Sequence, residues 1–271
     1  MSLVLQMSDP HFGTVQAPVA AALAALAREK RPDALILSGD ITQRATRRQF
    51  AAARRYVDGL AIPRVLTLPG NHDIPLLNLW ARLFNPYGRY RQAFGDDLEP
   101  ELSSPEYLII GVNTTRAARH KDGEVSAAQI ERVASRLGRA EAAQLRIVVT
   151  HQPTHVVRAR DAHNLLHGHE GAVRAWVRAG ADLLLGGHIH LPYVSALHEH
   201  DAELPRRAWC VQAGTALSSR IRREAPNSVH LIRIGSGPPS RCQIERWDYD
   251  AASTCFVCAQ EHALLLDRGV Q

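Results

Sequence analysis

The chain has 271 residues, of which 45% are hydrophobic and 22% are charged, a composition typical of a globular protein with a buried core. Its formal net charge of +5 is scattered along the sequence, which favours ordinary solvated faces over a stable nucleic-acid-binding surface. No run approaches the roughly 18 apolar residues of a membrane span. Residues 3–5 form too short an apolar run for a secretion signal, so we expect a cytoplasmic protein.

The first part of the chain alternates short apolar runs, typical of buried strands, with segments of helical periodicity. The predicted strands are 2–7, 34–38, 64–68, 107–112, 146–150 and 182–185. The predicted helices are 18–30, 43–60, 73–84, 126–137 and 171–179. From Tyr193 onward the pattern predicts short strands without helices between them, at 193–198, 208–212, 228–234, 242–249 and 253–260.

This order of elements predicts an α/β fold in which two sheets pack together and helices cover them. We expect residues 1–271 to form a single domain, because no linker or low-complexity tract divides the sequence. Two segments, 85–105 and 154–170, are not assigned to elements. Each is predicted to be a cap or a long loop over the functional site, since long loops in compact domains often carry function.

Five short polar motifs follow predicted strands, and their side chains can therefore meet at one edge of a sheet. The motifs are D-P-H at 9–11, G-D at 39–40, G-N-H-D at 70–73, T-H at 150–151 and G-H-I-H at 187–190. They supply a set of oxygen and imidazole donors that suits two divalent cations sharing one carboxylate. The set comprises Asp9, His11, Asp40, Asn71, His151, His188 and His190.

Each motif alone also has a plain structural interpretation, such as a turn after a strand or a polar helix cap. Asp9 and His11 lie two residues apart, so on an extended strand end they are expected to point to the same side. His72 is a candidate catalytic acid, because histidine exchanges a proton near neutral pH. Asp73 is predicted to cap the following helix and to hold His72 in orientation.

The five motifs in this order resemble those of the calcineurin-like metallophosphoesterase superfamily, and the resemblance covers residues 7–190. It implies a four-layer α/β/β/α sandwich of two mixed sheets, with attack on phosphorus by a metal-activated hydroxide. His72 is then the outer acid and, with Asn71, a substrate contact. The first metal is expected on Asp9, His11, Asp40 and His190, and the second on Asp40, Asn71, His151 and His188. The metals expected are Mn or Fe, while family members also use Zn, Mg or Ni.

Among family members, the chain looks similar to small bacterial class III cyclic-nucleotide phosphodiesterases. This likeness implies a small phosphoester substrate, most simply a nucleotide diester. The alternative within enzymes is a phosphomonoesterase, or a pyrophosphate hydrolase that acts on nucleotide-sugar or lipid-linked substrates. A basic and apolar groove with membrane association is expected to favour that alternative. Outside enzymes, the alternatives are a non-catalytic scaffold and a nucleic-acid-binding protein.

Several further residues have two interpretations. Arg220, with Arg222 and Arg223, is a candidate contact for a second phosphate or sugar hydroxyls, or else part of an exposed basic turn. The 87–91 segment, rich in Tyr and Arg, is either a base-stacking surface or a solvated face. Four cysteines lie in the last quarter and are predicted to be structural. The apolar segment 255–266 either completes a sheet or contacts a second subunit, so an oligomer is left open.

Overall fold

The computed structural model describes residues 2–235 and 241–267. Helices separate the strands up to β7, except that β5 directly follows β4, and one short helix lies among the later strands. The strands are β1 (Ser2–Met7), β2 (Ala34–Ser38), β3 (Arg64–Leu68), β4 (Glu101–Ser103), β5 (Tyr107–Gly111), β6 (Leu145–Val149), β7 (Leu183–Gly186), β8 (Tyr193–Ala196), β9 (Trp209–Gln212), β10 (Ser228–Ile234), β11 (Arg241–Asp250) and β12 (Cys255–Leu265). The helices are α1 (Ala17–Lys30), α2 (Arg47–Gly59), α3 (Leu79–Phe84), α4 (Gly88–Phe94), α5 (Ala127–Gly138), α6 (His169–Arg178) and α7 (Leu197–His200).

Two mixed sheets of six strands each form the centre of this described part. The first has the order β12-β11-β10-β1-β2-β3, and the second has the order β4-β5-β6-β7-β9-β8. Strands β1, β2 and β3 run parallel, as do β5, β6, β7 and β9. The chain enters the first sheet, builds the second, and returns to the first through β10 to β12.

Three apolar clusters define four layers. The middle cluster packs one sheet on the other through side chains such as Val4, Ile36 and Ile147. The outer face of the first sheet packs against α1 and α2, which contribute Leu23 and Phe50. The remaining cluster joins the second sheet to α5 and α6. Both faces of the central strands are covered, which explains their continuous apolar sequences, and the expected α/β/β/α sandwich is confirmed.

The largest disagreement with the predicted elements lies between residues 73 and 84. A helix was expected throughout, but a 3₁₀ turn spans Asn71–Asp73 and α3 begins only at Leu79. Ile74 precedes a proline and is extended, with φ −94° and ψ 128°. The side chain of Asn78 then caps α3 by accepting a hydrogen bond from the backbone N–H of Ala81. Pro75 and this cap explain why the predicted helix is wrong over its first half.

Other differences concern ends and loops. α2 begins at Arg47 instead of 43, because the Thr46 hydroxyl accepts the N–H of Gln49 as a cap. The unassigned segment 85–105 contains α4 and β4, while 154–170 contains a 3₁₀ turn at Ala159–Asn164 and the start of α6.

In the described ranges 2–235 and 241–267, no helix combines the length and apolarity needed to cross a bilayer.

The C-terminal segment completes the first sheet, with β12 paired antiparallel to β11 along its whole length. Cys210 and Cys242 are buried in strands, whereas Cys255 and Cys258 lie exposed on β12, and none of the four forms a disulfide. Tyr90 is completely buried, and its hydroxyl bonds to Thr67. Tyr90 therefore belongs to the core and is not available to stack on a nucleotide base.

Candidate metal centre

The predicted site residues converge where the carboxyl ends of β1, β2, β3, β6 and β7 meet. Backbone hydrogen bonds join the loops there. The N–H of Asp9 donates to Gly39 at 3.1 Å, and the N–H of Gly187 donates to His151 at 2.9 Å. Both sheets thus contribute to one cluster of polar side chains, as expected at the carboxyl edge of parallel strands.

One group of candidate ligands combines the first motif with the last. His190 Nε2 lies 3.2 Å from Asp9 Oδ1 and 3.1 Å from His11 Nε2. His11 Nε2 is also 3.8 Å from Asp9 Oδ1. One ligand atom from each of these three residues lies within 4.8 Å of the others, a spacing compatible with a shared cation.

A second group lies on the other side of Asp40. His151 Nε2 lies 3.3 Å from Asp40 Oδ1 and 3.3 Å from the side-chain oxygen of Asn71. His188 completes this group with Asp40 and His151. The other carboxylate oxygen, Asp40 Oδ2, is 3.9 Å from His11 Nε2 in the first group. Asp40 therefore faces both groups, as a bridging ligand must.

The surrounding hydrogen bonds orient the ligand atoms inward. His151 Nδ1 donates to the backbone oxygen of Ser38 at 2.8 Å, and His190 Nδ1 donates to that of Arg220 at 2.6 Å. When either ring is neutral, this network leaves its lone pair on Nε2, the atom that faces the other candidate ligands. Ser8 Oγ donates to Asp9 Oδ2 at 2.6 Å and so fixes the carboxylate.

The donor set fits divalent cations. Among the described residues, Asp9 Oδ1 and His188 Nδ1 are buried without a hydrogen-bond partner. Leaving such atoms unpaired costs free energy unless another group satisfies them. Imidazole nitrogens with carboxylate and amide oxygens suit Mn, Fe and Zn.

The pKa shifts have a common cause, which is two carboxylates and several imidazoles buried together. Burial raises the pKa of Asp9, but the charges of His190 and His151 outweigh it and hold that pKa well below its usual range. Burial lowers the pKa of His11 to about 3. For His151 burial also lowers the pKa, but Asp40 overcomes it and raises the value to about 9. The site therefore attracts positive charge, whether as a proton or as a cation.

The backbone at five candidate ligands is left-handed. Asp9, His11, Asp40, His188 and His190 have φ values of 50°, 43°, 47°, 71° and 55°. The sequence predicted an extended strand end at Asp9 and His11, and this expectation is wrong. Non-glycine residues adopt this region rarely, and such strain concentrates at functional sites where the surrounding fold imposes it.

Gly70 is required because the backbone passes very close to Asp40. A Cβ at this position would lie 2.1 Å from Asp40 N and 2.2 Å from Asp40 Oδ1. We therefore expect Gly70→Ala to displace Asp40 and to weaken metal binding by about 10- to 100-fold, the usual effect of disturbing a ligand's support. Isothermal titration with Mn²⁺ measures this change.

Gly171→Ala is the matched control, because a Cβ there meets nothing within 4 Å. Equal Mn²⁺ affinity in the Gly70→Ala and Gly171→Ala variants would show that Asp40 tolerates a Cβ at position 70. The absence of a side chain at Gly70 would then have no role in metal binding.

His72 lies at the mouth of the site. Its Nδ1 faces the backbone oxygen of Gln43 at 3.1 Å, and its Nε2 faces Arg220 Nη1 at 3.1 Å. Its ring packs edge-on against His11, with ring centroids 5.0 Å apart. Gln43 was not identified from the sequence, because the contact uses its main-chain oxygen and no sequence pattern indicates that.

Asp73 was expected to cap the following helix and to hold His72. The cap of α3 is provided by Asn78 instead, and Asp73 acts on His72 only through the backbone. Its buried carboxylate accepts the backbone N–H groups of Ile41, Thr42 and Gly70 at 2.8–2.9 Å. Burial, with Asp40 nearby, raises the pKa of Asp73 to about 7 against the effect of these donors. Asp73 thus ties the loop after β2 to the loop after β3, and it positions Asp40 and His72 through the backbone.

A cavity of about 400 Å³ opens over the two groups of ligands. Arg220, His120, Lys121, Asn164 and Arg222 contribute to its wall, and of these only the two arginines were singled out in the sequence. Arg222 is engaged by Asp161, with Nη1–O distances of 3.1 and 3.2 Å. The 154–170 segment was predicted to be a cap or a long loop over the functional site, but no sequence pattern indicated Asp161.

Comparisons with known proteins agree with this geometry. The family model of the calcineurin-like phosphoesterases matches residues 2–192. A probable cyclic nucleotide phosphodiesterase from a Synechococcus species is 29% identical over 201 residues, which cover 70% of this chain and 74% of that protein.

Solved structures show the same fold. A dimetal phosphatase from Danio rerio has a TM-score of 0.65 at 13% identity, over 98% of this chain and 99% of the other. The purple acid phosphatase PPD1 from yellow lupin has a TM-score of 0.73 at 12% identity, over 97% of this chain and 53% of the other. The family and the two ligand groups together support a binuclear divalent metal centre. Since the family model spans both groups of candidate ligands, the chain belongs to the calcineurin-like phosphoesterase family and is a metal-dependent phosphoester hydrolase.

Proposed function

We propose that the chain is a phosphodiesterase that hydrolyses a small nucleotide or related diester, such as a cyclic nucleotide. The observation that carries this proposal is the small cavity over the two ligand groups, whose wall carries a guanidinium beside a histidine. A volume of about 400 Å³ lies in the usual range for pockets that hold a small molecule. The named activity of the Synechococcus relative supports the same substrate class.

We assign the first metal to Asp9, His11, Asp40 and His190, and the second to Asp40, Asn71, His151 and His188. When bound, two such cations polarise a phosphoryl oxygen and lower the pKa of water enough to give a nucleophile at neutral pH. Mn or Fe is proposed. Because ligands come from the loops of both sheets, we also propose that residues 1–271 act as one catalytic unit.

His72 is proposed to protonate the leaving oxygen. The Arg220 guanidinium can only donate hydrogen bonds, so its 3.1 Å contact makes His72 Nε2 an acceptor. The ring proton of His72 is then on Nδ1, where it is donated to the backbone oxygen of Gln43. Nε2 therefore has no proton to donate while Arg220 occupies it, and it must take up a proton from solvent after Arg220 has moved away. A substrate phosphate offers the guanidinium a better partner, so we propose that Arg220 turns to the phosphate and frees His72 for acid catalysis.

Arg220→Ala is expected to raise KM for a diester by about 10- to 100-fold, because a hydrogen bond to a charged group contributes roughly 1.5–3 kcal/mol. Bound metal should be unchanged, since His190 contacts only the Arg220 backbone oxygen. Arg223→Ala is the control, because Arg223 is exposed and does not line the cavity. Steady-state kinetics beside elemental analysis measures both effects, and equal KM values for the two variants would remove Arg220 from substrate binding.

The activity itself is tested with metal-stripped protein, assayed on bis(p-nitrophenyl) phosphate and p-nitrophenyl phosphate with and without Mn²⁺. Metal-dependent preference for the diester supports the proposal, and cyclic nucleotides are then assayed. Preference for the monoester contradicts it. Reconstitution with Mn, Fe or Zn tests the metal proposal, and cell fractionation tests the cytoplasmic location.

One observation favours a second candidate, a pyrophosphate hydrolase that acts on lipid-linked substrates. Five large apolar side chains stand exposed in the segment 77–84, and we call them the apolar ledge. Their sequence neighbours Leu76 and Arg82 line a cleft that also contains His72. The apolar ledge consists of Leu77, Leu79, Trp80, Leu83 and Phe84. Cleavage of a lipid-linked pyrophosphate with a much higher kcat/KM than any nucleotide diester would establish this candidate.

A further inference from the structure

The apolar ledge is the densest group of exposed apolar side chains in the described residues. Its five members are 66–88% exposed, and the rings of Trp80 and Phe84 stack with centroids 5.0 Å apart. The other exposed large hydrophobic residues described, such as Val257 and Leu265, occur singly. Scattered exposed residues are ordinary, but a contiguous group of this size marks an interaction site.

The charges around the apolar ledge are basic. Residues 74–95 contain three arginines and neither aspartate nor glutamate. Arg82 lines a cleft with Arg44 and His120, and Arg82 Nη2 donates to the backbone oxygen of Arg119 at 2.9 Å. Lys121, which is two residues after Arg119 in the same loop, is exposed. Arg119 is paired with Glu124, whereas Arg44 and Lys121 have no ion pair with any described residue.

We infer that the apolar ledge docks on the surface of an anionic lipid membrane. Exposed Trp, Phe and Leu beside arginines are the composition of elements that lie in the membrane interface. The apolar side chains enter the acyl boundary while the cations meet anionic headgroups. A second copy of the chain fits less well, because a symmetric contact would bring Arg44 and Arg82 against their counterparts.

The position of the apolar ledge gives this docking a consequence. The cleft with Arg44 and Arg82 is also lined by Asn71 and His72, so it adjoins the metal centre. A chain held by the apolar ledge would present the mouth of its metal centre to the lipid surface. The inference does not depend on which phosphoester is hydrolysed, because binding to lipid requires no turnover.

The test uses the full metal-loaded chain and co-sedimentation with phosphatidylcholine vesicles, with and without phosphatidylglycerol. We expect binding to the anionic vesicles, a blue shift of tryptophan emission, and weakening by salt. Trp80→Ser with Phe84→Ser should reduce partitioning at least about tenfold, given the apolar area withdrawn from lipid. Val257→Ser with Leu265→Ser is the matched control and should bind as the wild type does.

Arg44→Glu provides a second test that leaves the apolar ledge intact, and it should weaken binding to anionic vesicles only. Absence of vesicle binding, or equal binding to neutral vesicles, overturns the inference. Sedimentation velocity showing a dimer that the Trp80/Phe84 variant loses would assign the apolar ledge to a second copy instead. Hydrolysis of bis(p-nitrophenyl) phosphate in vesicle-free solution is measured separately, so failure of the proposed function is distinguished from failure of docking.

Discussion

Asp40→Asn is expected to abolish both bound metal ions and activity together. Asp40 faces His151 through Oδ1 at 3.3 Å and His11 through Oδ2 at 3.9 Å, so it contributes to both groups of ligands. The amide keeps the shape of the side chain but loses the charge that attracts cations to this buried position. We expect kcat/KM to fall at least about 10³-fold, equivalent to roughly 4 kcal/mol of transition-state stabilisation. Elemental analysis of the purified variant and hydrolysis of bis(p-nitrophenyl) phosphate measure the two losses.

The fold of the Asp40→Asn variant must be verified, because Asp40 Oδ1 also accepts the backbone N–H of His72 at 2.8 Å. Far- and near-ultraviolet circular dichroism serve this purpose. Asp122→Asn is the control, since Asp122 is an exposed carboxylate whose nearest basic group is His167 at 3.9 Å. A folded Asp40→Asn protein that keeps two metals and its rate would rule out a bridging carboxylate.

His72→Ala is expected to keep both metals and to lose rate in a way that depends on the leaving group. A positioned acid typically contributes 10²- to 10⁴-fold, so roughly that loss in kcat is expected for an alkyl leaving group, which needs a proton. A p-nitrophenolate leaves as a stable anion, and its release should be much less affected. Kinetics with a series of aryl and alkyl diesters gives the dependence on leaving-group basicity for wild type and variant.

The metal content of His72→Ala decides between two roles that the geometry allows. His72, His11 and Asp40 offer ligand atoms within 4.8 Å of one another, so His72 is also placed to bind a cation. Loss of one metal in the variant would assign His72 as a ligand. Unchanged rates on alkyl diesters would remove the acid role. His163→Ala is the control, because His163 is an exposed histidine on the nearby 3₁₀ turn.

Much of the fold followed from local patterns. The central strands were recognised because both of their faces are covered, and continuous apolar runs result. Prediction failed at 73–84, where Pro75 and the cap formed by Asn78 outweigh a helical pattern. It also left 85–105 unassigned, where the burial of Tyr90 against Phe50 organises α4. Contacts of this kind join residues far apart in the chain, and no local window contains them.

The sequence by itself determined which residues form the candidate centre, because each motif follows a buried strand and parallel strands end at a common edge. The tertiary structure alone decided how those residues are held. Three features depend on loops from different strands. They are the left-handed backbone at Asp40 and His188, the three N–H groups that donate to the Asp73 carboxylate, and the contact between Arg220 and His72. The physical reason is that strand formation is encoded in neighbouring residues, whereas strained loops persist only when the packing of both sheets imposes them.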